Sequence, residues 1–163
     1  MITIRTASVE DIPAIRAIVD EVWPLTYAGI ISGAQIDYML HMMYSESSLY
    51  KQFAEGCEFI LAEDNGGPVG FASYQSLNGK TYKLHKLYLL SALHGNGIGK
   101  KLLDEVCDRV KKNGADELEL QVNKSNGNAK DFYTRNNFRV KRELILEIGN
   151  GFVMDDYVMS RDL

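Results

Sequence analysis

The strongest constraint on folding lies between residues 82 and 122. Tyr82 to Leu90 reads as a strand carrying Leu84, Leu87 and Leu89. His94-Gly95-Asn96-Gly97-Ile98-Gly99-Lys100-Lys101, HGNGIGKK, interrupts it. Ile98, Leu102, Val106 and Val110 then recur every four residues, joined by Leu103 and Cys107, so 97–113 is an amphipathic helix that Gly114 caps. Leu118, Leu120 and Val122 alternate as the next strand. A strand, a helix and a second strand in this order fold as a crossover, and the two strands lie parallel in one sheet.

The flanking segments supply the rest of that sheet. Ile2, Ile4 and Thr6 alternate as a first strand. Ser8 opens SVED, a serine cap with Asp11 three residues on, ahead of the helical stripe Ile12, Ile15, Val19, Val22. Pro24 is expected to end that helix, leaving 24–33 as a loop. Ile36, Met39, Leu40 and Met43 mark a second helix near 34–43, and Ser45 opens a short third one closed by Gly56. Residues 57–75 read as a hairpin around Asp64-Asn65-Gly66-Gly67. Ala129, Phe132 and Tyr133 mark a short helix, Asn137 suits a left-handed helix end, and 138–148 and 152–161 are strands around Gly149-Asn150-Gly151. The fold class is α/β (α+β): one mixed, mostly antiparallel sheet of about seven strands with helices on both faces. At 163 residues without linkers or repeats, the chain reads as one domain, 1–163.

Several functions are disfavoured. A net charge of −4 argues against nucleic acid as the main partner. Only Cys57 and Cys107 are present, with no Cys/His cluster, so no metal site is expected. No signal peptide and no apolar run of about 18 residues is seen, so no membrane span is expected and the cytoplasm is the expected location.

The glycine loop is not a familiar nucleotide motif. In GxGxxG register, Gly95 and Gly97 are followed by Lys100 rather than Gly. In P-loop register, Gly99 counts back to His94, and Lys100 precedes Lys101 rather than Ser or Thr. Its physical content is nevertheless that of a phosphate cradle: bare amides, a helix start and two lysines. A strand-to-helix turn that binds nothing is the alternative.

A second motif follows the next strand. Residues 122–138, VNKSNGNAKDFYTRNNF, contain Asn126-x-x-Ala129-x-x-Phe132-Tyr133 and then Asn137-Phe138. Together the two motifs resemble the GNAT superfamily of acyl-CoA-dependent N-acyltransferases. Its cofactor loop is (Gln/Arg)-x-x-Gly-x-(Gly/Ala), and its second motif is Asn-x-x-Ala-x-x-Phe-Tyr followed by Gly-Phe. His94 stands in place of Gln or Arg, Asn137 in place of Gly, and His85 where related enzymes often place Glu.

The resemblance implies that strands 82–90 and 116–122 splay apart and that acetyl-CoA, the co-substrate, lies between them. Main-chain groups of Leu87, Tyr88 and Leu89 would bond the pantetheine arm. His94, Gly95, Asn96, Gly97, Ile98, Gly99 and Lys100 would hold the pyrophosphate, and Asn126 the cofactor arm. Tyr133 would be the general acid for the departing CoA thiolate. A primary amine must lose a proton before attack, and His85 is the candidate base. The acceptor would enter past 22–44, where Trp23 and Tyr27, with Thr26, Tyr38 and Met42, are placed to line a mouth. Aromatic rings there suit a cation. Glu21, Asp37 and Glu46 are candidates for meeting an amine. Residues 21–55 and the ending MDDYVMSRDL resemble polyamine-acetylating members. The expected activity is N-acetylation of a small primary amine or polyamine. Acetylation of a protein N-terminus or lysine, and a non-catalytic acyl-CoA sensor, are the alternatives. A homodimer is expected to pair through the C-terminal strands.

Overall fold

The computed structural model describes residues 1–163. Seven strands form one sheet: β1 (Ile2–Thr6), β2 (Glu58–Asp64), β3 (Gly67–Ser76), β4 (Thr81–Leu89), β5 (Glu117–Asn123), β6 (Arg139–Gly149) and β7 (Phe152–Asp162). Their spatial order is β1-β2-β3-β4-β5-β7-β6, so β7 inserts between β5 and β6. All neighbours are antiparallel except β4 and β5. Five helices complete the fold: α1 (Ile12–Tyr27), α2 (Gly33–Tyr44), α3 (Glu46–Ala54), α4 (Ile98–Lys112) and α5 (Gly127–Arg135).

Strand alternation divides the core in two. Phe59, Leu61 and Phe71 face α1, α2 and α3, where Ile15, Val19, Val22, Trp23 and Leu49 pack on them. Ile60, Ala62, Leu84 and Leu118 face the other way, under the Ile98–Leu102–Val106–Val110 stripe of α4. Side chains two apart on a strand share a face, so each sheet residue belongs to one core only.

Pro24 does not end α1. The helix runs through it to Tyr27, and the Ala28 N–H closes the last turn on the Pro24 carbonyl at 3.2 Å. Proline removes one N–H donor and disfavours helical geometry before it. Here the extra turn is held by tertiary packing: the Trp23 ring sits 4.5 Å from Tyr27, 5.6 Å from Tyr44 and 5.9 Å from Tyr88, between ring centroids. The loop expected at 24–33 therefore shrinks to the few residues before α2.

Two local features open the sheet. β4 and β5 pair only from Thr81–Glu117 to Leu84–Leu120; beyond that they separate. Across the same point β4 carries an extra residue against β3, because Ser73 pairs with Lys86 while Tyr74 pairs with Leu84. His85 is that extra residue, and a bulge re-aims everything after it. Tyr82 and Leu84 face the α4 core before the bulge, and Leu87 and Leu89 face it after. Tyr88 turns to the α1 side.

Candidate active site

The fork between β4 and β5 is a cavity of about 70 Å³ lined by Leu87, Tyr88, Val122, Asn126, Ala129 and Tyr133 among others. The Leu90 N–H bonds the Val69 carbonyl at 2.9 Å, and the Tyr88 carbonyl lies against Gly70. Antiparallel alternation therefore turns the main-chain groups of Leu87 and Leu89 into the fork. Those of Tyr88, expected to bond the pantetheine arm, turn to β3; Tyr88 contributes its ring instead. His94, the one residue out of pattern, bonds the Leu89 carbonyl at 3.0 Å through Nε2. The carbonyl only accepts, so Nε2 carries the proton. This bond ties the loop to the strand end and leaves the Leu89 N–H free for a ligand.

The loop itself is bare backbone. Gly95 and Gly97 have φ of 85° and 76°, a left-handed geometry that penalises other residues. Gly97 caps α4. None of the N–H groups from Gly95 to Lys100 has an acceptor within the chain; the first engaged is that of Lys101, on Gly97. A row of free amides at a helix start, with Lys100 and Lys101 beside it, is the donor set a pyrophosphate needs. The residues present fit that group.

At the other end of the fork, Asn126 caps α5, its side-chain oxygen accepting from the Ala129 N–H at 3.2 Å. The oxygen is thereby committed, and the amide nitrogen is the group left to a ligand. Tyr133 is buried between Phe132 and Phe138, at ring distances of 5.1 and 5.5 Å. Its hydroxyl reaches the fork without a partner in the chain. Burial pushes its pKa up, so it stays a proton donor at neutral pH.

A second cavity, of about 160 Å³, lies on the α1 and α2 side. Tyr27, Leu84, His85, Lys86, Tyr88 and Gln121 line both cavities, so the two adjoin. Trp23 and Tyr27 stand where the sequence places them, and the Tyr27 and Tyr88 hydroxyls bond at 3.0 Å. Thr26, Tyr38 and Met42 do not line it; helical phase brings Met39 and Met43 in instead. The Tyr38 hydroxyl donates to the Ile148 carbonyl at 2.6 Å, and Gln35 Nε2 to the Val153 carbonyl at 2.8 Å. These bonds fasten α2 to the β6–β7 hairpin and roof the cavity.

The charges in this cavity differ from the sequence expectation. Glu21, Asp37 and Glu46 lie outside its lining. The carboxylate inside is Asp156, on β7 opposite Asn123, 3 % exposed and without a hydrogen-bond partner. Burial, aided by Asp155, raises its pKa to about 6. His85 moves the opposite way. Burial, with Lys83 and Lys86 adding repulsion, pushes it down to about 4. Its Nε2 lies 3.3 Å from Gln75 Oε1, an orientation set because Gln75 Nε2 donates to the Glu55 carbonyl. The two groups that could take an ammonium proton are thus shifted in opposite directions, both chiefly by burial. Period-two alternation along MDDYVMSRDL, placing Asp156, Val158 and Ser160 on one face, was the available pointer to Asp156. No group of three or more His, Cys, Asp and Glu side chains is arranged to hold a metal ion.

A forked parallel pair, a cradle of free amides and a tyrosine at the fork define an acyl-CoA-dependent transferase. The chain belongs to the Acetyltransferase (GNAT) family, which matches residues 16–138. It is thus an N-acetyltransferase with acetyl-CoA as donor. It is 30 % identical over 159 residues to the spermidine N(1)-acetyltransferase of Thermoplasma acidophilum, covering 94 % of this chain and 96 % of that one. The crystal structure of the PaiA N-acetyltransferase of Thermoplasma acidophilum in complex with coenzyme A superposes with a TM-score of 0.85 at 28 % identity, covering 100 % of this chain and 99 % of that one. The ribosomal-protein-S18-alanine N-acetyltransferase of Escherichia coli shares the fold, with a TM-score of 0.76 at 20 % identity over 99 % of this chain and 94 % of that one.

Proposed function

We propose that this enzyme acetylates the primary amine of a small molecule by direct attack, with Asp156 receiving the amine and Tyr133 acting as general acid. The observation that carries the reading is the shared wall of the two cavities: an unpartnered carboxylate lies in one and an unpartnered phenol in the other. The donor's pyrophosphate would rest on the Gly95–Lys100 amides. Its pantetheine arm would bond Leu87 and Leu89 main-chain groups and the Asn126 amide. The Leu89 N–H would polarise the thioester carbonyl, a task for a fixed donor rather than a particular side chain. An ammonium ion gives its proton to Asp156, and the free amine forms the new C–N bond as the C–S bond breaks. Tyr133 protonates the departing sulfur. The roof over the acceptor cavity favours a small molecule over a peptide. A polyamine acceptor is the second reading, favoured by the spermidine acetyltransferase among the relatives.

Thiol release from acetyl-CoA across a panel of amines tests this directly. Tyr133→Phe is expected to lower kcat by about 10² or more while leaving CoA affinity within a few-fold. Wild-type turnover in that variant would remove Tyr133 from the mechanism. If CoA binds and no amine releases thiol, the chain is an acyl-CoA sensor.

A further inference from the structure

The acceptor cavity contains two lysines that make no ion pair. Lys83 Nζ bonds Gln121 Oε1 at 2.7 Å, and Lys86 Nζ bonds Gln52 Oε1 at 2.7 Å while lying 5.2 Å over the Tyr44 ring. Neither has a carboxylate within 4.0 Å, whereas Lys100, Lys124 and Lys141 all do. Lys86 is 8 % exposed, and Lys83 is half-buried. Burying an ammonium group without a counter-ion costs several kcal/mol, so a fold has reason to avoid it. Burial has depressed both lysines; Lys86, at about 8, is still mostly charged at pH 7. Their partners are carboxamides, which hold the ammonium heads in place without neutralising them.

Asp156 is the complementary anomaly, an acid with no partner in the same cavity. Lys83 and Asp156 feel each other's charge, yet they stand more than 4.0 Å apart and do not pair. The cavity therefore holds one unpaired carboxylate and two unpaired ammonium groups. A polyamine would find one carboxylate for its several charges and two lysines repelling the rest. An acceptor with one amine and one acid group would satisfy all three side chains.

Building on the acetyl-transfer reading, we propose that the acceptor is a small amine that also carries an acid group, its amine on Asp156 and its carboxylate or phosphate on Lys83 and Lys86. The acid group stays unreacted and fixes the amine's position toward the fork. Specificity then resides in the lysines, because an amine lacking the acid leaves both ammonium groups without a counter-ion.

The test compares kcat/KM for thiol release, with acetyl-CoA, over 4-aminobutyrate, the common α-amino acids, O-phosphoethanolamine, butylamine, putrescine and spermidine. The best acid-bearing amine should exceed butylamine and spermidine by about tenfold or more, the effect of one charge-assisted hydrogen bond. Carboxylate and phosphate arms say which acid group fits. In Lys83→Gln and Lys86→Met that preference should fall about tenfold, mainly through KM, with cooperative thermal unfolding retained. Spermidine or butylamine as the best acceptor would overturn the proposal. So would an unchanged preference in both folded variants. Thiol release from no amine at all would overturn the acetyl-transfer reading itself, and this one with it.

Discussion

In the proposed mechanism Asp156 sets the pH dependence of the site. Its pKa is raised from 3.8 to about 6, first by burial and then by Asp155, with Lys83 and Lys124 pulling it back. Only the carboxylate can receive an ammonium proton, so activity grows as pH rises through about 6. The kcat/KM profile of Asp156→Asn should accordingly lose its steeper fall below pH 6, together with most of the rate; an unchanged profile would assign the base elsewhere. Stability moves the opposite way. A pKa raised by folding favours the folded state while the group is protonated. That contribution is fully present below pH 3.8 and is lost as pH rises through about 6. Chemical denaturation at pH 4 and pH 7 should therefore show the wild type losing stability relative to Asp156→Asn between the two. His85 illustrates the limit of reading residue types alone. Its ordinary pKa near 6.5 makes it the natural candidate base, and its surroundings move it to about 4.

At the scale of elements, the glycine loop and α4 work as one device. β4 delivers the chain to the fork, the loop strips away side chains, and α4 begins with its N–H groups unused. A Cβ at Gly97 would meet nothing within 4 Å, so substitution there strains only the left-handed backbone, by about 1–2 kcal/mol. Gly97→Asp should therefore fold while CoA affinity, measured by calorimetry, falls at least about tenfold through repulsion of the pyrophosphate. Wild-type affinity in a folded Gly97→Asp would refute the phosphate cradle. The α4 stripe, Ile98 to Val110, was legible in the sequence because a four-residue recurrence has one helical meaning. The course of α1 was not, because a proline is a local stop signal and the Trp23–Tyr27–Tyr44–Tyr88 packing that overrides it is assembled from distant segments.

At the scale of the whole molecule, β7 inserts beside β5 and leaves β6 as an eleven-residue edge strand. Val140, Ile145 and Leu146 on it are exposed. An unpaired antiparallel edge is complementary to a second copy of itself about a two-fold axis. We therefore predict a homodimer closed through β6. Sedimentation should give twice the chain mass for the wild type and the monomer for Ile145→Lys; a monomeric wild type at tens of micromolar would exclude it. β7's insertion also brings Asp156 into the acceptor cavity, where it faces β5, and lets the hairpin bond α2 through Ile148 and Val153.

By itself, the sequence determined most of the elements and the parallel crossover, and it pointed to the glycine loop and to Tyr133. Each of these is written in neighbouring residues: alternation, a helical stripe, bare glycines, an Asn-x-x-Ala-x-x-Phe-Tyr spacing. Only the tertiary structure decided what the acceptor meets. The bulge at His85, the placement of β7 and the roof from α2 bring Lys83, Lys86, Gln121 and Asp156 together from three strands. Their burial then sets their charge states. Burial and opposition are properties of distance in space, and no spacing along the chain encodes them.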